Sequence, residues 1–212
     1  MNVIFIAIVL IIGWMFVGYG GLTAYQSRER SGRKRWLTAV GGGLAVIGGL
    51  GFLGAAFSAA GGLRWLPPDF EWPIGFANGA LTTPDGNHVV PHTASGRIQV
   101  YDPDWKFVTG WFVNAGGGKF KIGLKGRNTI EVITARRHMR YLYTIHGYLL
   151  VSETYKPLTY SDFTTSGKSV VVPTHWWLWP FTTPFFSWFI AAVGMALIML
   201  SDPSKKKQKI FG

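Results

Sequence analysis

Seven basic side chains, Lys119, Lys121, Lys125, Arg127, Arg136, Arg137 and Arg140, fall within one short stretch and are offset there by Glu131 alone. Placed on consecutive strands, they would merge into one positively charged face. The chemistry of such a face is attraction, either to an acidic protein surface or to anionic lipid headgroups. The alternative is a solvated sheet edge on which Lys and Arg deter aggregation. Nucleic acid is excluded as a partner, because the aromatics are not interleaved in a stacking pattern.

No other constellation makes a stronger case for chemistry. His88 and His92 lie four apart, on one face of a strand but roughly 13 Å from each other at 3.3 Å per residue, too far to share a metal without a bend at Pro91. The remaining histidines are His138, His146 and His175, and a structural or hydrogen-bonding role is expected for each; no metal is expected. Asp102 and Asp104 flank Pro103 and resemble a carboxylate pair, but Asp-Pro-Asp is turn chemistry, with Asp capping backbone amides. The run Gly116–Gly123 (GGGKFKIG) lacks the phosphate-loop spacing and precedes a strand. There is no Gly-x-Ser-x-Gly or His-Glu-x-x-His. The absence of Cys removes disulfides, thiolate metal sites and a thiol nucleophile. Neither catalysis nor a cofactor is expected.

The elements that must position the basic stretch begin with the apolar ends of the chain. At 212 residues and a net charge of +11, the chain places its polar groups mainly in the middle. Six segments are expected: a transmembrane helix in 1–26, a basic cytoplasmic loop in 27–36, a Gly/Ala-rich transmembrane helix in 37–63, an extracytoplasmic β domain in 64–181, a third transmembrane helix in 182–201 and a basic cytoplasmic tail in 202–212. Residues 3–24 carry no charge and suffice to cross a hydrocarbon core, and no basic region precedes them as a cleaved signal would require. In the second span, Gly41, Ala45 and Gly49, and likewise Gly51, Ala55 and Ala59, recur every four residues, a spacing that lets helix backbones approach in lipid. The third opens with Thr183 as N-cap and Pro184 as first helical residue. Trp36, Trp65, Trp176, Trp177 and Trp179 mark the membrane–water interfaces. Arg28, Arg30, Arg33, Lys34 and Arg35 after the first span, and Lys205, Lys206, Lys207 and Lys209 in the tail, belong in the cytoplasm. Three spans put both segments on that side, and the N-terminus and middle domain on the other. No charge interrupts a span, which argues against a proton or ion path.

Turn clusters punctuate the middle domain, and strands are expected at 74–81, 88–93, 97–101, 107–113, 120–124, 129–134, 138–145, 148–155 and 169–172, with a hairpin turn at 145–148. Residues 88–113 align with 130–155 at an offset of 42, placing Val90 on Val132, Val100 on Leu142, Tyr101 on Tyr143, Phe107 on Leu149 and Val108 on Leu150. A repeated unit and two unrelated β-meanders both fit these few matches. The phrase GRIQVYDPDWKFVTGW, residues 96–111, resembles a blade of the NHL or PQQ type of β-propeller. The resemblance covers residues 74–155 loosely and implies four-stranded units. A propeller needs about four to eight blades and this chain supplies two, so the fold class expected is α+β: three transmembrane helices plus a small β-sandwich or two blade-like units, whose open edges offer a partner site.

These features together imply a non-catalytic accessory or scaffold subunit of a larger integral-membrane complex in the bacterial inner membrane, photosynthetic or respiratory assemblies being the first to consider. Its partners would be other membrane subunits, and anionic lipids or an acidic protein surface. The competing expectation is a membrane-tethered β-domain that binds or senses a soluble or cell-envelope ligand, which requires a pocket of converging aromatic and polar side chains.

Overall fold

A computed structural model of the chain describes residues 3–27, 32–156, 158–163 and 167–201, without the side chains of 3–10, 59 and 158. Arg28, Arg30 and the lysines of the tail lie outside the described residues. The chain divides into two compact units, a β-rich unit of residues 55–182 and a helical unit combining 2–54 with 183–212.

The helical unit contains α1 (Val3–Gln26), most of α2 (Gly32–Ala59) and α4 (Pro184–Ser201). Two helices, α2 over Gly32–Ser58 and α4 over Pro184–Ser201, are long and apolar enough to cross a membrane. Helix α2 begins at Gly32, so Arg33, Lys34 and Arg35 occupy its first turn rather than the loop expected there. At α4 the expected cap is in place, with the Phe186 amide donating to Thr183 Oγ1 over 3.3 Å.

Small residues set the packing of α2, and they divide it into two faces. Toward α4, a Cβ added at Gly41 would lie 2.7 Å from the Gly194 carbonyl oxygen, and one at Gly48 would overlap that of Ser187. Toward α1, a Cβ at Gly42 would sit 2.6 Å from the Ala24 methyl, and one at Gly49 would sit 2.9 Å from Val17. Ala45 faces Gly20 of α1, and its amide lies against Gly194. Of the two four-residue series expected to pack, Gly41, Ala45 and Gly49 all make close approaches, but to two different helices. Ala55 is fully buried and Gly51 is buried as well, whereas the side chain of Ala59 lies outside the description. Where backbones approach this closely a hydroxyl can also bridge them, and Thr38 Oγ1 donates to Ser201 Oγ over 2.8 Å.

The β unit holds nine strands: β1 (Phe76–Thr82), β2 (His88–His92), β3 (Arg97–Tyr101), β4 (Phe107–Phe112), β5 (Phe120–Lys125), β6 (Thr129–Thr134), β7 (Met139–Thr144), β8 (Leu149–Thr154) and β9 (Lys168–Val171), with a short α3 (Leu158–Asp162) before β9 and a 3₁₀ helix (Trp176–Phe181) at its end. All nine match expected segments to within two residues at either end. They form two antiparallel sheets, ordered β4-β3-β2-β1-β9 and β5-β6-β7-β8. Neither sheet closes into a barrel or propeller. The fifth strand of the first sheet is β9, paired beside β1.

Between the two readings of the 42-residue offset, the backbone favours the repeat. In β3–β4 the register slips after Val100↔Thr109 to Tyr101↔Phe107; in β7–β8 it slips after Leu142↔Val151 to Tyr143↔Leu149, each residue 42 further along. The hairpin turns match too. Asp102 Oδ1 accepts the Lys106 amide as Thr144 Oγ1 accepts that of Tyr148. Trp105 (φ 61°) and His138 (φ 51°) are the non-glycine residues with positive φ among those described. Their equivalents are Gly147 (φ 84°) and Gly96 (φ 68°). At both left-handed positions, one copy has the glycine that such a backbone favours.

The two four-stranded units stack through non-equivalent faces. Val89, Ile98, Val100 and Trp111 of the first pack on Ile130, Val132, Tyr141 and Tyr143 of the second in one buried cluster. The second-unit counterparts of Val89, Ile98 and Trp111 are Glu131, Arg140 and Glu153, on the opposite surface, where Arg140 bridges both carboxylates. Such head-to-tail stacking is open at both ends, and each end is closed differently. At the first, the segment before β1 crosses the sheet, with Ile74, Val90, Tyr101 and Val172 in a second cluster. At the other, Arg140 and its carboxylates form a polar outer face, as terminal repeats require.

Two glycine pairs test this packing. A Cβ at Gly147 would lie 2.8 Å from the Trp111 ring, whereas one at Gly126 (φ 70°) meets nothing within 4 Å. Gly126→Ala is expected to cost about 1 kcal/mol from backbone strain alone, and Gly147→Ala a further 1–3 kcal/mol or so from the overlap, read from denaturant unfolding. In the helical unit, Gly194→Ala, which has no room beside Gly41 and Ala45, is expected to lower the unfolding temperature in mild detergent. Gly43→Ala, with nothing within 4 Å, is expected to leave it unchanged or slightly raised.

Candidate interaction surfaces

The register puts Lys121, Lys125 and Arg140 on the outer face of the second sheet, but the seven basic residues have different surroundings and do not make one continuous patch. Strand β5 is about 17 Å long at 3.3 Å per residue, and it separates Lys119 from Lys125 and Arg127 at its far end. At the near end, a loop at 113–119 joins the sheets and meets the β6–β7 turn at 135–138: Ala135 N–H donates to the Lys119 carbonyl over 2.9 Å. The absence of a Cβ at Gly116 and Gly118 lets two arginine stems lie on this loop, Arg136 over Gly118 and Arg137 over Gly116. Lys119, Arg136 and Arg137 are all exposed.

The other four basic residues do different work. Lys121 is partly buried, donates to the carbonyls of Tyr160 and Phe163 (both 2.9 Å) and stands 4.8 Å above the Tyr160 ring, pinning the α3 segment to β5. Arg140 forms ion pairs with Glu131 and Glu153, and those hydrogen bonds, the Glu131 one foremost, hold its guanidinium above the usual value. Arg127 pairs with Asp85 at 3.2 Å across the surface, an interaction worth little in water. Lys125 is exposed.

One surface escaped the sequence reading. In β3 the alternation Arg-Ile-Gln-Val-Tyr suggests a polar face turned to solvent, yet all five residues are buried. The strand is covered because the chain before β1 runs across its polar side. Gln99 pairs with the backbone of Trp72 as a neighbouring strand would, accepting its N–H (2.6 Å) and donating to its carbonyl (3.0 Å), and it also donates to Tyr101 Oη at 2.7 Å. Burial pushes the Tyr101 phenol far above its ordinary value, with Glu71 adding to the effect. Arg97, 1% exposed, donates through Nη2 to the Phe70 carbonyl at 3.3 Å while Nε and Nη1 have no hydrogen-bond partner among the described residues. Beside it across the strands is His92, with Nδ1 2.7 Å from Ser95 Oγ. The signal available in the sequence was β2, whose His-Val-Val-Pro-His puts a valine on each face.

The sequence-derived candidates for chemistry sit apart from one another. Asp102 Oδ1 accepts the amides of Asp104 (2.9 Å) and Lys106 (2.8 Å), the turn role expected for it. His88 stacks on Trp105 with centroids 4.1 Å apart, while His92 is buried at the other end of β2. The His88–Trp105 pair lines a hollow of about 350 Å³ together with Thr82, Leu124 and Lys168.

Two apolar surfaces remain uncovered. Strand β8, the outer edge of its sheet, exposes every residue, Leu149, Leu150 and Val151 included, next to Tyr148. The equivalent edge of the first unit is protected where Gly110 N–H donates to the Pro68 carbonyl at 2.8 Å. In the helical unit, Trp14, Met15, Leu22, Leu50, Phe185 and Leu200 all point outward. Trp36, Trp65, Trp176, Trp177 and Trp179 are exposed as well. No family model matches the chain, and no curated protein or solved structure matches it either.

His92 carries a pH prediction. Burial lowers its pKa from 6.5 to about 4, against a smaller opposing effect from the Thr182 backbone. The unfolded chain therefore binds the proton first as pH falls. The stabilisation from keeping His92 neutral is complete above about pH 6.5 and is lost progressively toward pH 4, amounting to about 3 kcal/mol. Thermal melts between pH 7 and 4 are expected to flatten in that window for His92→Gln relative to the parent chain.

Proposed function

We propose that this chain is a non-catalytic accessory subunit of a larger integral-membrane assembly, with its β unit on the extracytoplasmic side of a bacterial inner membrane. The uncovered β8 edge carries the reading. An exposed apolar edge strand invites pairing with another chain, and the first unit protects the equivalent edge. A neighbouring subunit that covers β8 would remove that liability.

The membrane setting rests on the two long apolar helices and on the outward apolar side chains around them. Helix α1 is the third span in this proposal: its 24 residues extend about 36 Å at 1.5 Å per residue, and residues 3–24 have no charge. With three spans, the basic segments after α1 and after α4 share the cytoplasmic side, as the distribution of Lys and Arg favours. Close packing of α2 between glycine faces suits a structural span, and no ionisable side chain interrupts it between Trp36 and Ala59.

A second reading has one observation behind it. The hollow beside His88, Trp105 and Lys168 combines aromatic, cationic and hydroxyl groups at the small end of the range for ligand sites. It would suit a small planar anion and a tethered binding module. Gentle detergent extraction of the native membrane followed by intact mass measurement separates the readings. A discrete assembly several times heavier than the 23.5 kDa chain is expected. A free monomer at that mass would remove the subunit reading and leave the binding module.

A further inference from the structure

We infer that Lys119, Arg136 and Arg137 form a docking point for anionic lipid headgroups at the membrane-facing end of the β unit. This inference rests on the proposal that α2 and α4 span a bilayer. Within the β unit, one end is marked by the places where the chain leaves for those helices. Ser58, within the part of α2 that belongs to the β unit, donates through Oγ to the Ser95 carbonyl at 2.7 Å, so the β2–β3 turn lies where the chain enters this unit. The other exit, Thr182, has its backbone beside His92 at the same end of β2. Val113 N–H then donates to the Gly96 carbonyl at 2.7 Å, joining that turn to the loop at 113–119 on which Arg136 and Arg137 lie. The three cations therefore share an end with both chain exits.

Charge and surroundings select the occupant. Arg140 and Arg127 already have carboxylates and Lys121 has carbonyls, whereas none of the three cations forms an ion pair among the described residues. Two guanidinium groups and an ammonium on one short loop pair are matched to phosphate oxygens, which arginine can engage in bidentate fashion. The exits carry interfacial aromatics as well. Trp65 is 71% exposed beyond α2, and Trp176, 83% exposed, precedes Thr182 in a 3₁₀ helix with no buried residue. Exposed tryptophan beside exposed Lys and Arg is the composition of a surface seated at headgroup level. Lys125 and Arg127, at the far end of β5, lie away from it and supply an internal control.

Hydrogen exchange on the full chain in lipid nanodiscs tests the inference. The discs contain phosphatidylcholine alone, or phosphatidylcholine mixed with phosphatidylglycerol. A basic side chain at an anionic surface strengthens association by about fivefold. Amides of 116–119 and 135–138 are therefore expected to exchange roughly tenfold or more slowly in the anionic discs, with the difference shrinking as salt is raised, while those of 125–129 do not change. The K119Q/R136Q/R137Q variant, whose changes are all at exposed positions, is expected to behave alike in both discs. Equal exchange of the parent chain in the two compositions would overturn the inference and leave the membrane reading standing. So would protection that appears only when a partner protein is present. Failure of the chain to enter discs of either composition would overturn the membrane reading, and this inference with it.

Discussion

The β unit depends on one contact, the burial of Val89, Ile98, Val100 and Trp111 against Ile130, Val132, Tyr141 and Tyr143. Each sheet turns one hydrophobic face inward, and such a face must be buried against another layer. Because the two units use opposite faces, the contact is directional. It leaves one face of each unit in need of a different solution, and the rest of the β unit follows from supplying them. The segment carrying Trp72 and Ile74 covers the first unit, and Arg140 with its two carboxylates wets the second.

The same asymmetry explains the polar groups buried in β3. At positions equivalent to Arg97, Gln99 and His92 the second unit has Met139, Tyr141 and Thr134, and there they face the partner sheet. In the first unit this face meets a length of irregular backbone. Irregular backbone carries unpaired amides and carbonyls, and a side chain such as Gln99 can satisfy them where an apolar one cannot. The buried histidine at the end of this row is the β unit's acid-sensitive point, and Nε and Nη1 of Arg97, without a hydrogen-bond partner among the described residues, place a further polar burden there.

Close approach of backbones organises the helical unit just as directionally. Gly41 and Gly48 admit α4, while Gly42 and Gly49 admit α1, so two faces about 100° apart on one helix hold two neighbours. Substitution on the wrong face is harmless, which is why a count of small residues says less than their angular placement. Gly41, Ala45 and Gly49 of the expected four-residue series make close approaches, yet Gly48, the α4-facing glycine one heptad from Gly41, falls outside that series.

Residue patterns alone determined most elements of this protein: nine strands between turn-forming clusters, long apolar helices, and the capping of the last one, because each depends on local periodicity and backbone chemistry; the short α3 and the 3₁₀ helix went unread. The 42-residue offset was legible from a handful of apolar matches, and its turn glycines were the harder part, since each left-handed position keeps glycine in only one copy. Tertiary structure decided the rest. It split the seven basic residues between two ends of β5, an ion-pair network and a helix anchor, because linear proximity says nothing about which end of a strand a side chain occupies. It buried the polar face of β3 and left β8 bare, because whether a strand face or edge is covered depends on chain segments far away in sequence.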